Sequence, residues 1–356
     1  MTTNNAKLPL PLEGVRVLDA THIVAGPFCS LILADMGAEV IKIERPRTGD
    51  LARGRGPFIG GAEERVSSRY LGVNRNKKSV TLDLRNPRCK EAFENLVRAS
   101  DVLLDNWGPG AFRRLGLGYN HLKELNPGLV YATITGYGDS DDLRGPYSDW
   151  PANNLAIQGM AGWMELTGDP DGPPQSVGDN IGDSIPGLWT ALGIVLALET
   201  RRQTGQGQHV DMAMYECMVS HIISNINSYQ ATGKNPGRSR DRMATAGLTF
   251  RAKDGYVVMA GVRLEERWRA LWRLVGKEEL TEDPRYLGNG GDGDFYFNKI
   301  VPAIEEWSLQ LPKWEVAGKL TEIGFSMGTA QTIADLAQCP HLEARDMFVD
   351  TGDTLG

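Results

Sequence analysis

The sequence predicts an α/β protein in which a doubly wound parallel sheet forms a large domain and a smaller α+β domain follows it. Short apolar runs alternate with helical patterns through residues 15–134, a stretch rich in Gly, Pro and charge occupies residues 233–242, and a hairpin pattern comes after it. A chain of 356 residues is also longer than one hydrophobic core usually supports. Two domains are therefore expected.

The first βαβ unit lies near the N-terminus. Residues 15–20 predict a strand, residues 28–36 a helix that Gly37 ends, and residues 39–44 a second strand. The same alternation then predicts the following elements: a strand at 79–84, a helix from Asn86 to about residue 100, and strands at 101–106 and 129–134. Parallel strands of such a sheet open a binding crevice at their carboxyl ends. The loops expected to line it are residues 21–27, 45–56 and 107–111.

The second half predicts two further helices and then the small domain. The helices lie near residues 188–202 and 212–229, and residues 248–251 and 256–260 form a hairpin through Lys253-Asp-Gly255. Residues 265–275 predict an amphipathic helix whose core-facing side chains are Trp268, Leu271, Trp272 and Val275. The predicted domains are 1–224 for the large domain, 225–325 for the small domain, and 326–356 for a segment that returns to the large domain.

Composition excludes several classes of function. Hydrophobic residues make up 41% and charged residues 23% of the chain, and the net charge of −7 argues against a nucleic acid or an anionic membrane as partner. Neither a disulfide framework nor a metal site is expected, because the histidines form no HxxxH or HExxH pattern and the cysteines lie far apart, at Cys29, Cys89, Cys217 and Cys339. The N-terminus has no apolar signal region and residues 188–198 are too few to cross a bilayer, so a cytoplasmic location is expected.

Asp183 is the candidate nucleophile, in the run Asp179-Asn-Ile-Gly-Asp-Ser-Ile-Pro-Gly187. Gly182 leaves room for close backbone approach, Ser184 suits a cap, and Pro186 suits a first helical turn, which places Asp183 at a helix N-terminus. There the free N–H groups and the helix dipole keep a carboxylate ionised, as a nucleophile requires. A capping aspartate without chemistry is the alternative that the local sequence leaves open.

Two features predict recognition of phosphates. Gly108-Pro-Gly-Ala-Phe-Arg113 follows a predicted strand, but Arg113 replaces the third glycine of GxGxxG, which disfavours a dinucleotide site and leaves a tight turn suited to a phosphate or pantetheine chain. In an acidic chain the natural counterions for phosphates are the basic residues beside predicted strands, which are Arg45, Arg75, Lys77 and Lys78.

Ordered runs along almost the whole chain resemble the family III CoA-transferases, the group of formyl-CoA transferase and the carnitine CoA-transferases. The matching runs are Leu12-Glu-Gly-Val-Arg-Val-Leu-Asp19, Ala25-Gly-Pro-Phe-Cys29, Gly37-Ala-Glu-Val-Ile-Lys-Ile-Glu-Arg45, Gly49-Asp50, Asn74-Arg-Asn-Lys-Lys-Ser79, Asp105-Asn-Trp-Gly-Pro-Gly110 and Thr204-Gly-Gln-Gly-Gln-His-Val-Asp211. In that family the aspartate of the Gly-Asp-Ser motif is the nucleophile, so the resemblance assigns this role to Asp183.

The resemblance also implies a binding site and an assembly. The implied contacts to CoA are His22, Ile23, Ala25, Arg45, Leu82, Asn106, Trp107, Gly108, Ala111, Arg114 and Met214. The implied assembly is a dimer of interlocked rings, each with a Rossmann-like large domain, and it is either a homodimer or a heteromer with a related subunit. CoA and acyl-CoA enter as substrates, with no permanently bound cofactor and no metal. Relatives usually continue some tens of residues past the end of this sequence, so the family's C-terminal tail is expected to be missing.

The implied activity is transfer of CoA from an acyl-CoA donor to a carboxylic acid through an aspartyl-CoA thioester. The implied substrate pocket contains Val24, Arg55 and Asn154. Val24 and Arg55 stand where formyl-CoA transferase has Gln and Trp, which argues against formyl and oxalyl chemistry. Arg55 favours a substrate with a second carboxylate, such as succinyl-CoA, although a solvent-exposed arginine is equally compatible with the pattern.

Two other functions remain open at this level. An α-methylacyl-CoA racemase needs an acid/base pair, and Asn153 and Asn154 stand where that branch has His and Asp. An amide does not accept a proton from an α-carbon, which disfavours the racemase. The second alternative is a non-catalytic CoA-binding subunit of a heteromeric transferase.

Overall fold

The computed structural model describes residues 8–60, 65–241, 243, 247–260, 264–288 and 292–349. They form two compact units. The first contains the chain up to Glu165 together with Gln175–Gly233, and the second contains Leu166–Pro174 together with the chain from Lys234 onward. Each unit has its own buried apolar core.

A six-stranded parallel sheet organises the first unit. Its strands are β1 (Arg16–Asp19), β2 (Glu39–Glu44), β5 (Lys77–Thr81), β6 (Val102–Asp105), β7 (Val130–Thr135) and β8 (His209–Ala213), and a separate two-stranded ribbon pairs β3 (Phe58–Ile59) with β4 (Val66–Ser67). The sheet order is β5-β2-β1-β6-β7-β8. This is the doubly wound order in which the winding direction reverses between the first and fourth strands, so the binding crevice lies where β1 and β6 end.

Helices cover both faces of this sheet. They are α1 (Ala25–Asp35), α2 (Ser68–Asn74), α3 (Pro87–Arg98), α4 (Ala111–Arg114), α5 (Tyr119–Leu125), α6 (Asn154–Met160), α7 (Ile181–Thr204), α8 (Met214–Ser220) and α9 (Ile223–Thr232). Along β1 the side chains alternate between faces: Val17 packs with α1 and α7, and Leu18 packs with α3. β6 and β7 are buried along their whole length, as expected for a parallel sheet covered on both sides. The predicted α/β class is confirmed.

The second unit is built on an antiparallel sheet of three strands. β9 (Gly247–Ala252) and β10 (Gly255–Ala260) form the predicted hairpin, and β11 (Met327–Thr329) pairs with β10. The helices of this unit are α10 (Glu265–Leu274), α11 (Gly293–Phe295), α12 (Val301–Ser308), α13 (Lys313–Glu322), α14 (Ile333–Ala337) and α15 (Pro340–Glu343), with a π-helical turn at Tyr296–Ile300. As predicted, Trp268, Leu271 and Trp272 of α10 are buried in the core.

Several predicted boundaries differ from the structure. The predicted helix at 212–229 is the end of β8 followed by α8 and α9, because β8 is a half-buried edge strand whose polar His209 and Asp211 hide its pattern. The two units divide after Gly233 and not after residue 224. β11 lies beyond the predicted end of the small domain at residue 325, yet it completes the second unit's sheet. Residues 350–356 lie outside the described part of the chain.

Helix α7 is longer than predicted. It begins at Ile181 and runs for 24 residues. By length and composition alone such a helix could cross a bilayer, so the expectation that this segment is too short was wrong. One of its faces, which includes Thr190, Ala191 and Ile194, is buried and packs against α1, β7 and β8. The core helix of a globular protein passes the same test of length and apolarity, and α7 contributes this face to the core of the first unit.

We predict that Gly187→Ala destabilises the protein. A Cβ at this position would lie 2.6 Å from the carbonyl oxygen of Ala25, so α7 would be pushed away from α1 at a cost of roughly 1–3 kcal/mol. Gly72→Ala in α2 is the control, because an added Cβ there meets nothing within 4 Å and the lost backbone freedom of the unfolded chain should stabilise the protein slightly. Urea unfolding of both variants is the measurement. Equal shifts in the two variants would contradict the packing argument.

Candidate active site

The predicted site residues meet at the carboxyl end of the first unit's sheet. A cavity of about 900 Å³ lies there, and the predicted residues that line it are His22, Ile23, Val24, Ala25, Arg55, Asn106, Trp107, Gly108, Arg114, Asn154, Asp183 and Met214. A cavity of about 780 Å³ adjoins it and is lined by the remaining ones, Arg45, Leu82 and Ala111. His22, Trp107 and Arg114 line both. We call these the Asp183 cavity and the arginine cavity.

Asp183 is the third residue of α7. The helix begins after Asn180, whose side chain does not cap it, and Ser184 donates its hydroxyl hydrogen to the carbonyl oxygen of Asn180 at 3.1 Å. The predictions that Ser184 caps the helix and that Pro186 lies in its first turn were therefore wrong, because the helix starts earlier and includes both. The predicted position of Asp183 in the first turn is confirmed.

Asn154 fixes the start of α7 from outside the helix. Its side-chain oxygen accepts hydrogen bonds from the Gly182 N–H at 2.9 Å and from the Gln158 amide at 3.0 Å. A Cβ at residue 182 would lie 2.8 Å from the Asn154 carbonyl oxygen, so only glycine allows this approach. The neighbouring Asn153 caps α6 by accepting a hydrogen bond from the Ala156 N–H at 3.0 Å. Both asparagines thus hold helix ends in place.

Burial sets the protonation behaviour of Asp183. Removal from water raises the pKa of its carboxyl to about 6, and within the described residues no group donates a hydrogen bond to it. The helix N-terminus was expected to keep this carboxylate ionised, and burial acts against that by raising its pKa. A carboxylate with this pKa is still mostly ionised at neutral pH, and its oxygens are free to attack a ligand.

The turn between β1 and α1 carries His22, Ile23 and Val24. Ile23 adopts a φ of +73°, a left-handed conformation that costs roughly 1–3 kcal/mol for a β-branched residue. The backbone N–H and carbonyl of His22 bond to the side chain of Asn106 at 3.0 and 2.9 Å, which joins this turn to the end of β6. Burial lowers the pKa of His22, so its imidazole is neutral at neutral pH.

The segment after β6 forms the adjoining part of the wall. Trp107 donates its indole N–H to the carbonyl of Ala20 at 2.5 Å, and the guanidinium of Arg45 lies 5.2 Å from the Trp107 ring centroid. Gly108 and Gly110 have φ values of +93° and +64°, which produces the tight turn that the sequence predicted before α4. Gly108 lines the Asp183 cavity and has no side chain that could obstruct a ligand there.

The arginine cavity is basic in an otherwise acidic chain. Four guanidinium groups line it, those of Arg45, Arg47, Arg85 and Arg114, with Asp83 as the acidic residue of the lining. The predicted counterions Arg75, Lys77 and Lys78 do not take part. They form ion pairs with carboxylates elsewhere, at Asp35, Asp19 and Glu39 respectively.

Arg47 and Arg85 were missed by the sequence analysis. Both follow the ends of neighbouring strands, β2 and β5, which was the signal that could have found them.

A third cavity of about 630 Å³ shares the wall formed by Ile23, Val24, Arg55 and Asn154. Arg69 also lines it, and neither guanidinium, of Arg55 or of Arg69, has a hydrogen-bond or ion-pair partner within the described residues. We call this space the acid cavity. Across the described ranges no cluster of three or more His, Cys, Asp or Glu side chains is arranged to hold a metal ion.

Comparison with known proteins decides the family. The family model of CoA-transferase family III matches residues 12–356. This chain belongs to CoA-transferase family III. It is therefore an enzyme of the CoA-transferase type, and the cavities described above are those of a family III fold.

Individual relatives support the same assignment. The chain is 36% identical to a succinyl-CoA:mesaconate CoA-transferase of Haloarcula hispanica, over 95% of this chain and 85% of the relative. It is 35% identical to a formyl-CoA:oxalate CoA-transferase of Streptomyces avermitilis, over 95% of this chain and 84% of the relative. These nearly equal identities to enzymes named for different acids support CoA transfer in general and do not choose between the acids.

The crystal structure of a related protein has the same fold as this chain. A CAIB/BAIF family protein from Brucella suis superposes with a TM-score of 0.87 at 35% identity, covering 96% of this chain and 90% of that one.

We predict that Asp183→Asn stabilises this family III enzyme at pH 8 and not at pH 4. The folded-state pKa is raised from 3.8 to about 6, so the wild type loses stability as the pH rises through that window, by at most about 3 kcal/mol. The uncharged amide avoids this loss. Urea unfolding at both pH values is the measurement, with the exposed Asp179→Asn as control. A gain of equal size at pH 4 would contradict the assignment.

Proposed function

We propose that this enzyme moves CoA from an acyl-CoA donor, succinyl-CoA among the donors, to a carboxylic acid through a covalent aspartyl-CoA thioester at Asp183. The observation that carries the proposal is the position of Asp183. Its carboxylate lies without a hydrogen-bond partner among the described residues, in a cavity that shares lining residues both with the arginine cavity and with the acid cavity of Arg55 and Arg69.

The reaction proceeds by exchange at carbonyl carbons. The Asp183 carboxylate attacks the thioester carbonyl of the donor, the C–S bond breaks, and a mixed anhydride and CoA thiolate result. The thiolate attacks the aspartyl carbonyl, which releases the donor acid and forms the enzyme–CoA thioester. The acceptor carboxylate then repeats the two steps in reverse, forming a second anhydride, the new acyl-CoA and free Asp183. Covalent catalysis replaces one difficult exchange by steps with better leaving groups.

The two larger cavities match the two ends of CoA. The guanidinium groups of Arg45, Arg47, Arg85 and Arg114 suit the phosphates, because arginine forms bidentate hydrogen bonds with phosphate oxygens. The pantetheine chain then passes the tight turn at Gly108 and Gly110 and brings its thiol to Asp183. His22 and Trp107 line both cavities and thus accompany the ligand between them.

The acid cavity suits a substrate with a second carboxylate. Arg55 lines both this cavity and the Asp183 cavity, and Arg69 lies in the same acid cavity. A dicarboxylic acyl group can therefore present one carbonyl to Asp183 and its far carboxylate to a guanidinium. The relative of Haloarcula hispanica is named for such a donor, succinyl-CoA.

An exposed apolar face on α7 supports association with a second subunit. The side chains of this face are 40–59% exposed, and they are Leu188, Trp189, Leu192, Val195 and Leu196. Their spacing forms one stripe along the helix. We propose that this stripe belongs to the interface of the interlocked dimer, and native mass spectrometry distinguishes a homodimer from a heteromer. The free cysteines agree with the reducing cytoplasm as its location.

Loss of the nucleophile should abolish transfer while leaving CoA bound. Asp183→Ala is expected to lower the turnover by at least about 10³-fold with a CoA dissociation constant within a few-fold of wild type. In the wild type, kcat/KM should fall below pH 6 as the carboxylate is protonated. Steady-state kinetics and calorimetry test this. Retention of more than a tenth of wild-type turnover would refute the role of Asp183.

Charge removal in the arginine cavity should weaken CoA binding. Arg45→Gln and Arg114→Gln are each expected to cost about 1–3 kcal/mol of binding free energy, the usual size for a hydrogen bond to a charged group. Arg75→Gln serves as the control because Arg75 pairs with Asp35 away from the cavity. Calorimetry with CoA at fixed ionic strength is the measurement. Unchanged affinity for CoA in both cavity variants would show that the phosphates bind elsewhere.

Removal of the guanidinium at residue 55 should act on dicarboxylic substrates alone. Arg55→Gln is expected to lower kcat/KM for succinyl-CoA at least about tenfold, because a charge-assisted hydrogen bond is lost. Butyryl-CoA is the matched control, since it has the same chain length without the second carboxylate. Mass spectrometry of the thioesters reports both rates. Equal losses with the two donors would remove the argument for a dicarboxylic donor.

A further inference from the structure

The turn between β1 and α1 (residues 21–24, the β1–α1 turn) is a wall common to all three cavities. His22 faces the Asp183 cavity and the arginine cavity, whereas Ile23 and Val24 face the Asp183 cavity and the acid cavity. A shift of this turn therefore changes the CoA side and the acid side of the site together.

The turn is held in a conformation that its own sequence disfavours. Ile23 has a φ of +73°, and a β-branched side chain occupies the left-handed region only where the surroundings impose it. Glycine would adopt the same backbone conformation without strain. Contacts from other parts of the fold therefore impose this conformation.

Two charged side chains with no exposed surface bond to the backbone of the turn. Asp50 accepts a hydrogen bond from the Ile23 N–H at 3.0 Å, and Lys42 donates one to the carbonyl oxygen of Thr21 at 2.8 Å. The Lys42 ammonium lies 3.0 Å from the second carboxylate oxygen of Asp50 and 3.7 Å from Asp19. The ion pair thus bonds to the backbone of the turn on both sides of His22, at Thr21 and at Ile23.

Asp50 also connects the turn to the acid cavity. The same oxygen that accepts from Ile23 accepts from the Ala52 N–H at 2.8 Å and caps the short helical turn Leu51–Gly54. Arg55 follows that turn directly. One carboxylate therefore fixes the relative positions of Ile23 and of the segment that carries Arg55.

A buried ion pair is a poor device for stability. Its desolvation penalty cancels most of the attraction between the charges, and apolar residues of similar size often replace such a pair without loss of stability. A buried pair that bonds to a strained turn has its main effect on geometry. Errors of about 1 Å in a reactive geometry are enough to cost about 10²-fold in rate.

We propose that Lys42 and Asp50 are positioning residues for CoA transfer: their buried ion pair imposes the left-handed conformation of Ile23 and so sets the shared wall of the CoA and acid compartments. The proposal rests on the proposed function, since it assumes that both compartments serve one reaction. Neither residue contacts the reacting atoms.

The test replaces the pair without leaving an unpaired charge. In Lys42→Met/Asp50→Leu, we expect native circular dichroism, a kcat/KM for CoA transfer at least 100-fold lower than wild type, and a CoA dissociation constant at least tenfold higher. Addition of Ile23→Gly should restore at least tenfold of kcat/KM, because glycine takes the left-handed conformation unaided. A merely structural role of the pair does not predict rescue by that substitution.

The control removes a lysine–aspartate pair away from the cavities, whose lysine is buried and whose aspartate is partly exposed. Lys313 and Asp335 lie 2.6 Å apart in the second unit, and Lys313→Met/Asp335→Leu should leave kcat/KM within threefold of wild type. Retention of more than a third of wild-type kcat/KM in the Lys42/Asp50 variant, absence of rescue by glycine, or an equal loss in the control would each overturn the proposal. If the wild type binds CoA but transfers none, the proposed function fails, and the CoA dissociation constants of the same variants still decide the positioning role.

Discussion

The close approach of three helix ends at the start of α7 is the constraint on which the active site depends. Gly182 lies against the backbone of Asn154 in α6, and Gly187 lies against the carbonyl of Ala25 in α1. Neither contact leaves room for a Cβ, so the first turn of α7 sinks between its neighbours. Asp183 is carried inward with it, which explains why its carboxyl is desolvated and why its pKa rises. The burial of Asp183, its protonation and its access to ligand thus depend on the absence of a side chain at Gly182 and at Gly187.

Electrostatics in this enzyme is arranged locally and against the net charge of the chain. The overall charge is −7, yet four arginines line the arginine cavity, three of them after the neighbouring strands β2 and β5 and the fourth, Arg114, in α4. Other basic residues of the same region are neutralised, as Lys77 is by the buried Asp19. An anionic ligand is therefore attracted to one crevice of the surface. The buried Lys42 and Lys77 also donate hydrogen bonds to the backbone carbonyls of Thr21 and Pro27, so these charges affect the shape of the crevice as well as its potential.

Local patterns predicted the elements better than their limits. In the first βαβ unit and in the hairpin of the second unit, the spacing of the apolar residues indicates each strand and helix. The structure has these elements within a few residues of the predicted bounds. The edge strand β8 was missed because the polar His209 and Asp211 interrupt its apolar pattern. Helix α7 was predicted to start late because its first turn is held by Asn154 and not by a capping residue of its own.

The sequence by itself determined the fold class, the order of the elements, the resemblance to family III and the identity of Asp183 as the candidate nucleophile, because each of these is written in periodicity or in ordered motifs. The tertiary structure alone decided which charges face the ligand. Arg47 and Arg85 line the arginine cavity, whereas Lys77 is buried against Asp19, and nothing in their local sequence separates the two cases. It also decided the pKa of Asp183 and the strain at Ile23. The strain at Ile23 arises from the contacts of Ile23 with Asp50 and of His22 with Asn106. The pKa of Asp183 arises from the close approach of α7 to Asn154 and Ala25, and only folding brings these distant residues together.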